Sequence, residues 1–257
     1  MLNIKDIEKF YPENEKVFKR NLLREYLQYK ILQIIYNSNY AGKLNFMGGT
    51  CLRVVYGTQR FSEDLDFDNI NLSENELEII SSLVKKTLEL EGYLVEIRNV
   101  FKGAFRCYLR LPGLLFSNKL SGYHDEKILI QLDTESQGFI YKKETFLLNK
   151  FDIFSQIFIT PKDILLSQKL WAILNRKVLK GRDFYDAVYL FALTKPNYDY
   201  LTVKANIRNI GELKDNLFEI LDKVKMESLA KDVEPFLINK NEIARITKFK
   251  EYLLGLK

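Results

Sequence analysis

The chain has 257 residues, 47% hydrophobic and 28% charged, a balance that supports one large domain or two modest ones with a buried core and excludes disorder and coiled coil. Its net charge of +5 is a mild, dispersed excess that favours a polyanionic partner without demanding one. No apolar run is long enough to span a bilayer and Met1-Leu2-Asn3-Ile4-Lys5-Asp6 carries no signal core, so a cytoplasmic protein without a membrane partner is expected. Cys51 and Cys107 then read as reduced, packed thiols, since their spacing fits neither a metal site nor a disulfide framework.

In chain order, Val17, Leu22, Leu23, Leu27, Ile31, Ile34 and Ile35 recur near a period of 3.6 and predict a helix over 14–37. A short strand over 44–47, a helix over 50–56 and a strand over 64–67 follow as one compact unit. Ser73 is placed to cap a helix over 74–91 whose apolar side carries Leu77, Ile80, Leu83, Val84 and Leu88. Three strands are expected at 93–101, 104–111 and 127–133, with Lys102-Gly103-Ala104 as a hairpin turn. From Thr160 the texture turns helical: Thr160-Pro161-Lys162-Asp163 offers a cap hydroxyl, a proline at the first helical position and an acid in the first turn. Pro161 is thus the expected boundary between an α/β part (1–160) and a helical part (161–257).

The chemistry concentrates at Phe46-Met47-Gly48-Gly49-Thr50-Cys51-Leu52-Arg53 and at Arg60-Phe61-Ser62-Glu63-Asp64-Leu65-Asp66-Phe67-Asp68. In an extended segment Asp64 and Asp66 share one face while Leu65 and Phe67 share the other. Two like charges held together are costly unless a cation neutralises them, and hard divalent ions such as Mg²⁺ prefer carboxylate oxygens. The bland alternative is a solvated acidic strand end, because Glu63 and Asp68 stand alongside. Gly48-Gly49 allows a sharp turn and close approach of the backbone to a ligand, and free amides at the following helix start favour phosphate. Thr50 either caps that helix or touches a terminal phosphate. A phosphate cradle beside paired carboxylates points to chemistry on a nucleotide.

Gly48-Gly49-Thr50, Arg53, Gly57, Arg60, Ser62 and Asp64-Leu65-Asp66-Phe67 resemble the signature of the AbiEii/AbiGii-type nucleotidyltransferase toxins, enzyme halves of bacterial toxin–antitoxin pairs. Lys169-Leu170-Trp171-Ala172 through Arg176 to Gly181-Arg182-Asp183-Phe184-Tyr185-Asp186 is similar to that family's downstream Lys and Arg-Asp motifs. The resemblance implies an α/β (α+β) fold with a polymerase-beta-like nucleotidyltransferase core, a mixed sheet, and a C-terminal helical domain that supplies a lysine and an acid. It implies transfer of NMP from an NTP to a hydroxyl with release of pyrophosphate, tRNA 3′ ends as acceptor, a nearby-encoded antitoxin as partner and a part in phage defence. In that reading Asp64 and Asp66 hold two Mg²⁺ ions, with Gly48, Gly49, Thr50, Ser62, Lys169 and Arg182 on the nucleotide.

Other residues are read beside it. Asp133 ends the strand 127–133 with Leu129 and Gln131 on its face, so it either completes the metal site or caps the turn at Asp133-Thr134-Glu135-Ser136. Lys169 lies among Leu165, Leu166, Ala172 and Ile173, where a lysine snorkels out or meets an anion, and the resemblance makes it a phosphate contact. Arg182 with Asp186 is an i,i+4 pair, and Asp183 suits the first turn of a helix; Asp186, on a packing side, is the candidate for a second catalytic or lysine-orienting carboxylate. Ser62 shares strand parity with the acids, and Arg60 pairs either with nucleotide or with a surface acid. Arg106, Tyr108 and Arg110 share a strand face and combine cation and stacking surface for a nucleic-acid acceptor, though any solvent-facing strand looks similar. His124 has no assigned role, and Trp171 is expected in the core. Two rivals stand: nucleotidylation of a small molecule or protein side chain, and a non-enzymatic nucleotide- or RNA-binding module; a kinase shares the same binding requirements.

Overall fold

A computed structural model describes residues 2–256, so Met1 of the N-terminal reading lies outside the described residues. The chain divides into two compact units: the first comprises the chain up to Val55 with Ser62–Gly138 and Lys143–Ile159, the second Tyr56–Phe61, Phe139–Lys142 and the chain from Thr160 onward.

The first unit contains, in order, α1 (Ile4–Glu8), α2 (Lys19–Tyr36), β1 (Leu44–Met47), α3 (Gly48–Tyr56, its last residue counted in the second unit), β2 (Leu65–Asn69), α4 (Glu74–Leu90), β3 (Glu96–Lys102), β4 (Ala104–Pro112), α5 (Leu114–Ser117), β5 (Lys127–Glu135), β6 (Glu144–Lys150) and β7 (Ile153–Ile159). The strands form one seven-stranded mixed sheet in the order β3-β4-β5-β2-β1-β7-β6. Pairing is parallel between β2 and β5 and between β1 and β7, and antiparallel elsewhere. The mixed α/β class matches the sequence reading.

Period-two patterning sets the two faces. Leu65 and Phe67, Cys107 and Leu109, and Ile130 and Leu132 are all buried. Helices α2 and α4 cover this face: the Tyr36 ring meets Phe67, and Asn99 donates to the Ser81 hydroxyl at 2.9 Å. The alternate residues Asp66, Arg106, Tyr108, Gln131 and Asp133 are only half-buried, on the opposite face. Ser73 caps α4 as expected, in a full capping box with Glu76.

Several element boundaries differ from the sequence reading, and β5 runs on to Glu135, so Asp133 lies inside the strand and does not cap a turn after it. Helix α2 starts at Lys19 rather than Asn14, because Glu15 is drawn in a turn to Arg53 while Val17 points to solvent at 74% exposure. Strand β3 starts at Glu96 rather than Tyr93, whose amide closes the end of α4 on the Leu88 carbonyl (3.1 Å). Strand β2 starts at Leu65, one residue after Asp64. The β6–β7 hairpin was not anticipated. Its turn places Phe151 at φ +62, a left-handed conformation that side chains disfavour, and the Phe151 ring lies between 5.0 and 6.0 Å from those of Phe10, Tyr11, Tyr26 and Tyr29.

The second unit is helical: α6 (Lys162–Asn175), α7 (Gly181–Phe191), α8 (Tyr198–Ala205), α9 (Ile210–Leu221), α10 (Met226–Val233), α11 (Ala244–Thr247) and α12 (Phe249–Gly255). Helix α6 begins where the sequence reading puts it, but Thr160 does not cap it; the Thr160 hydroxyl pairs with the Tyr141 hydroxyl at 2.9 Å and Pro161 is the N-cap residue. Helices α7 and α10 approach so closely that a Cβ on Gly181 would overlap the Leu229 carbonyl and lie 2.9 Å from Val233 Cγ2. Trp171 is half-exposed beneath Lys204 rather than in the core. Among the described residues no helix is long and apolar enough to cross a membrane.

Candidate active site

In the first unit the acidic segment is built around Gly48. This residue has φ +77, and a Cβ there would collide with Asp66 Oδ2 while lying 2.7 Å from Asp66 Cγ. Glycine is therefore required both for the turn from β1 into α3 and for the space that the Asp66 carboxyl fills. The antiparallel register sets this contact, with Met47 opposite Asp66.

Asp64, just ahead of β2, is positioned through its backbone. The Thr50 hydroxyl donates to the Asp64 carbonyl, and Gln28 Nε2 donates to the carbonyls of Ser62 (3.1 Å) and Glu63 (2.9 Å). Thr50 is the third residue of α3 and is 1% exposed, so it anchors the acidic segment instead of capping the helix. Ser62 lies outside the strand, so strand parity does not place its side chain with the acids. Glu63 turns away to Arg24 at 2.6 Å, and buried Asp68 accepts the Gln137 amide at 2.8 Å. Arg53 is a structural member of the motif: buried, it joins α3 to Glu15 and to Glu25 of α2. Burial alone would raise the Glu25 carboxyl, but Arg53 and Lys150 outweigh it and hold it below the usual range. Burial pushes the Cys107 thiol up to about 12, consistent with an inert packed cysteine.

Asp133 is the register partner of Asp66 across the parallel β2–β5 pair, so both carboxyls leave the sheet on one face. Its Oδ1 faces Arg106 Nε at 3.2 Å and its Oδ2 accepts from Gln131 Nε2 at 2.7 Å. Among the described residues no three His, Cys, Asp or Glu side chains are gathered closely enough to hold a metal ion. The donor chemistry nonetheless fits the divalent ions that the resemblance implies: Asp66 and Asp133 offer hard carboxylate oxygens from register partners in the sheet, and Asp64 another from the residue just ahead of β2. Sequence reasoning put Gln131 on the face of Asp133 without giving it a role, and it missed Gln28. The signal for Gln28 was a polar residue inside the apolar run of α2, where it is 1% exposed.

In the second unit Lys169 meets acids. Its Nζ lies 2.9 Å from Asp186 Oδ2 and 3.4 Å from Asp183 Oδ1. Arg60 is fully interior and grips Asp186 bidentately, Nε to Oδ1 at 2.7 Å and Nη2 to Oδ2 at 2.6 Å. The expected Arg182–Asp186 pair does not form, because Arg182 is exposed while Asp186 points inward to Arg60 and Lys169. Burial by itself would raise the Asp186 carboxyl; Arg60 and Lys169 reverse that and hold it below the ordinary range. Arg176 reaches Asp183 Oδ2 at 3.2 Å from a partly exposed position. Asp186 thus contacts Lys169 and Arg60 at once, and Arg60 pairs with a buried acid, not a surface one.

Comparisons with known proteins agree with this architecture. The family described as "Nucleotidyl transferase AbiEii toxin, Type IV TA system" matches residues 30–252. No curated protein sequence matches the chain. Among solved structures, JHP933 from Helicobacter pylori is similar at 17% identity with a TM-score of 0.55, covering 91% of each chain. A second, titled "putative nucleotidyltransferase from H. pylori", is similar at 17% identity with a TM-score of 0.56, over 91% of this chain and 94% of that one. At such identity the two structures speak for the fold alone, whereas the family match spans most of the sequence. The chain belongs to the AbiEii nucleotidyltransferase toxin family of type IV toxin–antitoxin systems, and it is a nucleotidyltransferase.

Proposed function

We propose that this nucleotidyltransferase moves NMP from an NTP to the 3′-terminal hydroxyl of tRNA, releasing pyrophosphate, and that Asp64, Asp66 and Asp133 are the residues that hold its Mg²⁺ ions. The observation that carries the reading is the seating of the Asp66 carboxyl against Gly48 at the start of α3, which puts acid and helix-terminal amides side by side in one unit. A divalent ion there would neutralise triphosphate charge and ease deprotonation of the attacking hydroxyl. Of the chain's own groups, the amides at Gly48 and Gly49 are assigned to phosphate oxygens and Thr50 keeps Asp64 in register through its carbonyl. The resemblance gives Lys169 a phosphate role, for which Asp183 and Asp186 fix the ammonium group. Arg106, Tyr108 and Arg110 share the half-buried sheet face with Asp66 and Asp133, which supports an acceptor with phosphates and stackable bases. The reading places the protein in the cytoplasm with a cognate antitoxin as partner.

Purified protein incubated with each labelled NTP, Mg²⁺ and total tRNA is expected to label the RNA 3′ end with at least one NTP. Absence of labelled RNA with all four would overturn the tRNA assignment, and labelled protein or small molecule would redirect it to another acceptor.

A further inference from the structure

We propose that Arg106 is a latch on the acidic site: it holds Asp133 in reserve, and a phosphate group that draws Arg106 away frees Asp133 to join Asp64 and Asp66 as a metal ligand. The inference rests on the reading of Asp64 and Asp66 as the metal site.

Two observations motivate the exchange. Register makes Asp133 the direct neighbour of Asp66, with both side chains on one face of the sheet. Yet the three acids are not gathered into a metal-binding group, and both Asp133 oxygens are engaged, Oδ1 facing Arg106 Nε at 3.2 Å and Oδ2 bound to Gln131 Nε2 at 2.7 Å. Register also makes Arg106 the partner of Asp133 on its other side, in the antiparallel β4–β5 pair. The row Asp66, Asp133, Arg106 therefore runs across three adjacent strands, and Asp133 sits between a prospective cation site and a resident cation.

The pair is suited to exchange. Its side chains are 40% and 27% exposed and joined through one nitrogen, the kind of contact that water competes with well. A phosphate offers the guanidinium a bidentate partner in place of a single bond. Arg110 and Tyr108 continue the same face of β4, and Arg98 stands opposite Tyr108 on β3, so an anion approaching Arg106 meets further cationic ground. Phosphate binding and metal binding are then linked, each favouring the other, because both require the Arg106–Asp133 contact to open. The phosphate can come from the nucleotide or from the acceptor strand.

The test is Mn²⁺ binding to the full-length protein without nucleotide, followed by electron paramagnetic resonance. Arg106→Ala is expected to bind Mn²⁺ about fivefold tighter than wild type, the size of a half-exposed ion pair removed from competition. Arg106→Lys, which keeps the charge, retains the wild-type isotherm. The gain must vanish when Asp133→Asn is added, whereas simple relief of charge repulsion would persist in the double variant and overturn the latch. Unchanged or weaker binding in Arg106→Ala overturns it too. Equal Mn²⁺ binding in wild type and Asp66→Asn would instead show that the metal reading itself has failed. In a second arm, with chelator present, inorganic tripolyphosphate and a short single-stranded oligoribonucleotide are titrated against wild type and Arg106→Ala. The ligand whose binding weakens identifies the source of the phosphate, and no weakening of either rejects the exchange.

Discussion

The acids of the two units are built in opposite ways. Asp66 is half-buried, rests on a glycine backbone and lies beside a second carboxylate across the sheet. Asp186 is closed off from solvent with Arg60 and Lys169 directly on its oxygens. A carboxylate that lies on a partly open face beside a like charge retains affinity for an incoming cation, whereas one already bound by two cations in the interior spends that affinity on holding its neighbours in place. The first arrangement suits chemistry and the second suits positioning.

The sharpest way to break this contrast is to remove one acid from each unit. Asp66→Asn is expected to lower nucleotidyl transfer about a thousandfold, in line with several kcal/mol of transition-state charge stabilisation, with an unchanged urea midpoint. Asp186→Ala should do the reverse first, lowering stability by about 3–5 kcal/mol in urea titration because buried Arg60 is left uncompensated. If Asp66→Asn unfolds the protein or Asp186→Ala leaves stability intact, the two acids are not of different kinds. Gly48→Ala comes next: a strained φ and a collision with Asp66 predict a loss of about 1–3 kcal/mol by thermal melting, accompanied by weaker Mn²⁺ binding. Thr50→Val, which removes the donor to the Asp64 carbonyl, should cost about 1 kcal/mol in the same assay and reduce activity through Asp64 alone.

The smallest effect is in pH. Because the Asp186 carboxyl is held below its ordinary value near 3.8, its contribution is fully present above that value and is lost as pH falls through the folded one. Denaturant midpoints should therefore be insensitive to this group from about pH 5 upward and fall in stronger acid, and Asp186→Asn should lose that acid-limb component.

Much of the acidic segment was legible because its signals are local. The alternation through Leu65 and Phe67, the Gly48 turn and the Ser73 cap each depend on neighbours a few residues away, and each falls where the sequence places it. The partners of the charged residues were not legible. Arg60 reaches Asp186 across 126 positions and Arg106 reaches Asp133 across 27, and no short-range spacing encodes either pairing. The tempting i,i+4 link from Arg182 to Asp186 was wrong because helix geometry says which residues are near one another, not which side of the helix is closed to water. The strand at 153–159 does alternate buried and exposed residues, but its edge partner β6 buries only Leu148 and its turn lacks the usual glycine or asparagine.

That turn carries a consequence of its own. With Phe151 at its left-handed position, the turn of the β6–β7 hairpin is packed by aromatic rings contributed by the first 29 residues, in addition to the ladder between its own strands. An excised fragment spanning the two strands should remain open in solution, and in the intact chain this hairpin should zip up only after the N-terminal segment has docked, making the beginning of the polypeptide a scaffold for one edge of the sheet.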